Sequence, residues 1–303
     1  MSETVPSNAE MQAYLEANKN WGRWGPDDQM GALNLITDEK RRDAFGLVQK
    51  ARTVSLSRPF PKDPAPNNPT PAMHWMRKLG RPGGVFGVVD FYGISYHGQA
   101  TTHIDALCHV WDKDGLWNGK DPELVAADGT QWCGVQNWHQ GIFTRGVLLD
   151  VPKFRGEAYV PWGKPVTGAE LAQVAVSQGV TVQPGDALLV YSGREAHDRA
   201  EPHPWGAVGI PRPGLHTSCL PFLRESDASI LVWDMMDEER EEDCPWGMHS
   251  AIFAFGVPLV DNALLEPVAA ACAEEGRYEF LLVIAPLIVE GGTGSPINPI
   301  AVF

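Results

Sequence analysis

Six short runs rich in β-branched, aliphatic and aromatic residues recur along this chain, at 53–56, 85–96, 146–151, 187–191, 229–233 and 278–289. Each has the length of a strand and must pair with others to satisfy its backbone, so a sheet is predicted. Between several of them lie segments of helical period. Residues 38–51 have polar and apolar positions at helical spacing. Residues 167–178 open with Thr167-Gly-Ala-Glu170, a capping box. Residues 264–275 end before Gly276, a good stop. The interleaving lacks the regular alternation of a barrel, which leaves a mixed α/β fold around a substantial sheet. No internal repeat or Gly/Ser-rich linker divides the 303 residues, so one domain is expected. Residues 59–71 hold six prolines and read as an extended solvated loop, with a lid as the alternative. Residues 237–243, six acids and one arginine, read as a solvated face without chemistry.

Charge and hydropathy remove several classes of partner. Lysine and arginine number 24 against 38 acids, a net charge of −14 that repels nucleic acid and anionic membrane surfaces. The longest apolar run, 280–289, is half of the roughly 20 residues a bilayer needs and contains Pro286. The first twenty residues are polar and acidic, unlike an export signal, so a cytoplasmic protein is expected. Five cysteines without C-x-x-C spacing read as buried small hydrophobes. The stretch Gly291-Gly-Thr-Gly-Ser-Pro296 lacks the lysine and following helix of a phosphate loop and reads as a tight turn. No G-x-S-x-G elbow occurs.

The histidines carry the chemical information. His97, His103 and His109 fall within YHGQATTHIDALCHVW, and Asp105 lies two after His103. On an extended strand, positions i and i+2 share a face, so His103 and Asp105 can offer nitrogen and oxygen to one zinc or manganese ion. His109 is four beyond Asp105, one helical turn if the chain bends into a helix at Ala106, where it could shuttle a proton. Polar residues of an exposed strand edge, or satisfied core histidines, would have the same spacing. His74, His139, His197 and His203 have no such companions and read as solvated loop residues; His216 reads as the opening of a helix. Trp21 and Trp24 are either core residues or the wall of a pocket for a flat apolar substrate.

Taken together, Thr102-His103-Ile104-Asp105-Ala106-Leu107-Cys108-His109 resembles the signature His-x-Gly-Thr-His-x-Asp-x-x-x-His of the cyclase family of metal-dependent hydrolases, which includes kynurenine formamidase and isatin hydrolase. His249 followed twelve residues later by Asp261 also looks like the family, as do Trp21-Gly-Arg-Trp24, Ser192-Gly-Arg194, Pro213-Gly-Leu215 and the terminal Gly291–Pro299 stretch, landmarks of its longer-chain branch.

The resemblance implies His103, Asp105, His249 and Asp261 as ligands of Mn²⁺ or Zn²⁺, and His109 as the catalytic proton carrier. It implies a swivelling β/β/α fold, a mixed sheet with flanking helices, in a homodimer or homotetramer whose residues 1–50 contact a neighbouring subunit. It implies hydrolysis of a C–N bond in a small amide, formamide, cyclic amide or imide. Lactone hydrolysis or dehydrative cyclisation on the same metal is the alternative, and a non-catalytic small-molecule binding protein is the second. Two positions depart: Gln99 stands where the family has its first ligand histidine, and Thr101 where it has glycine. Gln99 can ligate through its amide oxygen, or His97 can swing in with Gly98 allowing the bend. On a flat strand His97 and His103 would be about 20 Å apart, so Gln99 or open water is favoured. Trp24, Trp21, Tyr96 and His97 are the candidate substrate contacts.

Overall fold

The computed structural model describes residues 5–81, 83, 84, 86–238 and 244–303. In chain order its strands are β1 (Thr53–Ser55), β2 (Met73–Leu79), β3 (Gly87–Gly93), β4 (His103–Asp105), β5 (Val125–Ala126), β6 (Gly129–Thr130), β7 (Ile142–Asp150), β8 (Ala187–Tyr191), β9 (Ile230–Trp233), β10 (Leu259–Asp261), β11 (Glu279–Ile284), β12 (Gly294–Pro296) and β13 (Ile300–Val302). The helices are α1 (Asn8–Ala17), α2 (Asp38–Gly46), α3 (Val151–Arg155), α4 (Gly168–Gln178), α5 (Arg194–Ala200), α6 (Cys219–Glu225), α7 (Ser250–Phe255) and α8 (Glu266–Glu275).

Nine strands form one mixed sheet in the order β1-β13-β11-β7-β8-β9-β10-β4-β12. Neighbours from β7 to β10 run parallel, and the pairs on either side are antiparallel. The parallel segment requires crossovers, and the capped helical segments supply them: α3 and α4 between β7 and β8, α5 and α6 between β8 and β9, α7 between β9 and β10. Every residue of β8 (ALLVY) and β9 (ILVW) is buried, the continuous apolar reading of strands covered on both faces. The mixed α/β expectation therefore matches the architecture, a broad mixed sheet flanked by helices.

Element ends differ from the sequence reading where local chemistry intervenes. The helix expected over 38–51 stops at Gly46, and the strand expected over 278–289 stops at Ile284, ahead of Pro286. Thr167 accepts from the Glu170 amide at 3.3 Å, but the Glu170 carboxylate does not complete the box; it grips Arg155 at 2.7 Å through both oxygens. Gly276 closes α8 at φ 67°, a conformation that costs glycine little. The run at 85–96 becomes β3, with Val85 outside the described residues, and its partner β2 carries no period that marked it as a strand. All five cysteines are free and buried. Two histidines read as loop residues belong to regular elements: His74 stands on β2, 2.9 Å from Asp90, and His197 is buried on α5 with Nδ1 3.1 Å from Asp198. The segment expected to reach a neighbouring subunit packs at least partly on its own chain: Leu15 is buried in the core, and the Trp21 indole donates to the Phe253 carbonyl at 2.6 Å.

Candidate metal centre

The edge of the sheet brings the predicted ligands together. In the antiparallel pairing of β4 with β10, Asp261 stands opposite His103 and Leu259 opposite Asp105. On the other side β12 sets Gly294 opposite Asp105. A side chain at 294 would run into the Ile104 carbonyl and approach the His97 ring to 3.1 Å, so the final Gly-rich motif clears space for the site. His249 arrives from the turn Gly247–His249 that leads into α7.

The nitrogens and oxygens converge. His103 Nε2 lies 3.4 Å from Asp105 Oδ1 and 3.8 Å from Asp261 Oδ2. His249 Nε2 lies 3.2 Å from Asp261 Oδ2 and 3.9 Å from Asp105 Oδ2. His97 Nδ1 and His109 Nε2 lie 3.0 and 3.9 Å from Asp105 Oδ1. Two sets, His97/Asp105/His109 and His103/Asp105/Asp261, each have ligand atoms within 4.8 Å of one another, and Asp105 belongs to both.

The opposite ring nitrogens are occupied in the way metal-binding imidazoles require. His103 Nδ1 is 2.8 Å from the Thr101 carbonyl, which can only accept, so Nε2 is the ring nitrogen that faces the carboxylates. His249 Nδ1 is 2.5 Å from Asp237 Oδ2. His97 Nε2 is 3.1 Å from Thr293 Oγ1. Asp105 is fully buried, and among the described residues no well-aligned hydrogen bond reaches either carboxylate oxygen; His97 Nδ1 lies 3.0 Å away but is poorly aligned with it. A buried carboxylate without well-aligned donors is expensive. Acceptors converging from both carboxylates and imidazoles make the donor set of a divalent cation.

The same burial separates the histidines electrostatically. Burial drives His109 down to about 4, against the pull of Asp105. Burial opposes charge on His249 too, but the Asp237 and Asp261 carboxylates overcome it and push that ring up to about 10. His109 is returned to Asp105 by a single turn, its amide donating to the Ala106 carbonyl at 2.9 Å, and not by the helix that the spacing suggested. Its ring stacks on His97, with centroids 4.0 Å apart and planes 6° from parallel.

Positions 97 and 99 share one loop but have different surroundings. Residues 94–102 form a bent loop, not a flat strand, with Gly98 at φ 149°, so His97 folds back onto Asp105. Gln99 instead packs beside Gly206, so closely that a Cβ added at 206 would lie 2.8 Å from its own, and its carbonyl accepts from Arg194 Nη2 at 2.5 Å. Gln99, with Tyr96, His97, Asn67 and Thr70, lines a cavity of about 140 Å³. Tyr96 is anchored by its hydroxyl on the Gly294 carbonyl at 2.8 Å, with its ring 5.7 Å from that of His103. The two tryptophans are held by other partners: Trp21 by Phe253 and Lys19, Trp24 by Trp117 at 6.1 Å and Arg23. None of these contacts involves the cluster.

Three supporting residues escaped the sequence reading. Trp233 donates its indole N–H to Asp261 Oδ1 at 2.6 Å. Asn262 donates to the Gly98 and Thr101 carbonyls at 2.7 and 3.1 Å and accepts from Arg194 at 2.7 Å, tying the histidine loop to the strand of Asp261. Asp237, first of the acidic run expected to be a solvated face, is buried and clasps His249 as well as the Met248 amide at 2.6 Å. Nothing in its sequence context distinguishes it from the acids beside it; residues 239–243 of that run lie outside the described residues.

Fold and site together define an α/β protein with a buried cluster of two carboxylates and several histidines near one edge of its sheet, a candidate for a divalent cation. Residues 41–240 match the Cyclase family model. The crystal structure of a novel cyclase superposes with a TM-score of 0.84 at 30% identity, covering 94% of this chain and 100% of that one. The chain therefore belongs to the Cyclase family. An isatin hydrolase bound to the product analogue thioisatinate shares the fold, with a TM-score of 0.56, 16% identity, and coverage of 90% and 98%. Kynurenine formamidase of Bacillus cereus is 28% identical over 88 residues, 29% of this chain and 39% of that protein, so the match spans well under half of that curated relative.

Proposed function

We propose that this chain is a metal-dependent hydrolase that cleaves the C–N bond of a small amide, formamide, cyclic amide or imide. The observation that carries the reading is Asp105, fully buried, without a well-aligned hydrogen bond, and faced by ring nitrogens of His97, His103, His109 and His249. Its family membership and its likeness to proteins named kynurenine formamidase and isatin hydrolase support the choice of bond. His103, Asp105, His249 and Asp261 hold the ion, with His97 Nδ1 in the role first considered for Gln99. Mixed imidazole and carboxylate donors suit Zn²⁺ or Mn²⁺. When bound, such an ion supplies Lewis acidity toward a carbonyl oxygen and acidifies water near neutral pH. His109, kept neutral by burial, accepts the water proton at a ring nitrogen and hands it to the leaving nitrogen. The stacked His97 ring fixes the plane of His109, and Tyr96 walls the approach. The chain works as a homodimer or homotetramer in the cytoplasm on a small molecule; among the described residues no helix is long and apolar enough to cross a membrane.

The test is a panel of N-formyl anilines, cyclic amides, imides and lactones offered to protein loaded with Mn²⁺ or Zn²⁺. Metal-dependent turnover of the C–N substrates is expected. Turnover of lactones alone transfers the site to the alternative reading, which is supported by the likeness to a potential metal-dependent hydrolase with cyclase activity, TM-score 0.51. Binding without turnover of any member would make it a binding protein.

A further inference from the structure

Ser192-Gly-Arg194 follows the last residue of β8 and has no part in the chemistry proposed above. Its three amides donate to one buried carboxylate: Asp234, next after β9, accepts from Ser192, Gly193 and Arg194 at 2.8, 3.0 and 3.0 Å. The backbone of Arg194 is thereby fixed to two adjacent parallel strands in the middle of the sheet. Its side chain, 2% exposed, reaches from there to the histidine loop. Nη2 donates to the Gln99 carbonyl at 2.5 Å, and Nη1 donates to Asn262 Oδ1 at 2.7 Å and to the Asp234 carbonyl at 3.2 Å. The guanidinium lies over the Trp205 ring, 4.5 Å from its centroid. Nε has no hydrogen-bond partner among the described residues, and Asp198 Oδ2 is 3.9 Å away. Burial pulls the group down to about 9. An apolar side chain of similar volume would fill the same space without that loss of hydration, so packing alone does not account for a buried arginine here.

The ends of the fork do account for it. Both grip the two residues that follow His97. One nitrogen holds the Gln99 carbonyl directly, and the other holds Asn262, whose Nδ2 donates to the Gly98 carbonyl at 2.7 Å. Gly98, at φ 149°, is the residue with the most backbone freedom to lose, so a bend placed there keeps its shape only if it is clamped. We propose that Arg194 is a positioning residue of the histidine and carboxylate cluster: it locks the carbonyls at 98 and 99 and so keeps His97 Nδ1 3.0 Å from Asp105, in place to join the ligand set. This inference rests on the metal-dependent reading above. The geometry calls for arginine. Acceptors on segments 68 and 95 residues away in sequence take the two separate nitrogens of a planar fork, and Trp205 takes its flat face. A lysine ammonium would carry the charge but has a single nitrogen and no face to stack.

Chelator competition with Zn²⁺ on the full chain tests this. Arg194→Met should weaken zinc binding about 10- to 100-fold, and Arg194→Lys, which keeps the buried charge, should fall in the same range. The signature of positioning is non-additivity. His97→Ala removes the ligand through which Arg194 acts, so Arg194→Met in that background should change the zinc Kd by less than about twofold. Should Arg194→Met fail to fold, Arg194→Lys carries the same cycle. A wild type that binds neither Zn²⁺ nor Mn²⁺ removes the metal-dependent reading and this proposal with it. A wild type that binds zinc, with both Arg194 variants within about twofold of it, overturns the positioning role alone. Equal losses with and without His97 would show a general loss of structure and overturn it as well.

Discussion

Replacing Asp237 by asparagine isolates the part of the metal centre that lies beyond its ligands. The wild-type carboxylate serves two buried donors, the His249 Nδ1–H at 2.5 Å and the Met248 amide at 2.6 Å, one on each oxygen. Asparagine has a single oxygen, so one donor would face an NH₂ group and the charge on the other bond would be lost. A hydrogen bond to a charged group contributes about 1.5–3 kcal/mol, and loss of such a ligand-orienting partner weakens metal binding about 10- to 100-fold. The two scales agree, since tenfold is about 1.4 kcal/mol. The pH dependence is a second signature. With His249 pushed up to about 10, the ring holds a proton at neutral pH that must leave as the metal arrives, so wild-type affinity should rise about tenfold per pH unit between 6 and 8. Without the Asp237 charge the ring titrates lower, and the slope should flatten above its new pKa. Chelator competition with Zn²⁺ at pH 6, 7 and 8 measures both. A Kd within twofold of wild type, with an unchanged slope, would refute the orienting role.

Other perturbations probe different layers of the site. His109→Ala should lower kcat by roughly 10²- to 10⁴-fold at unchanged metal content; because burial keeps this ring deprotonated down to about pH 4, the wild-type activity limb that it controls should lie below pH 5 at saturating metal, not near 6.5. His97→Ala should weaken metal binding while Gln99→Ala leaves it unchanged, measured by elemental analysis after dialysis; equal losses would return position 99 to the ligand set. Gly294→Ala, whose Cβ would press on the Ile104 carbonyl, should cost about 1–3 kcal/mol and lower Tm by several degrees in a thermal scan; an unchanged Tm would mean that β12 can retreat freely.

Much of this protein is legible one residue at a time. The strand period places His103 and Asp105 on one face whatever their neighbours are, and the parallel core announces itself in ALLVY and ILVW because strands covered on both faces have no polar side to alternate with. Helix ends at Thr167 and Gly276 are equally local, set by a hydroxyl that accepts from a free amide and by a residue that tolerates positive φ. What the chain could not disclose in one dimension is adjacency. His97 comes within 3.0 Å of Asp105 through a bend at Gly98 that Asn262, 164 residues away, holds with its amide. Asp237 is one acid in a row of acids until the turn ahead of α7 carries His249 to 2.5 Å from it. Half of the apolar β2–β3 hairpin is invisible for the converse reason: all seven residues of β2 are exposed, so it has no buried face to impose a period of two. Local conformation is set by nearest neighbours, whereas the state of a buried charge depends on every group within a few ångströms, and only the folded sheet decides which groups those are.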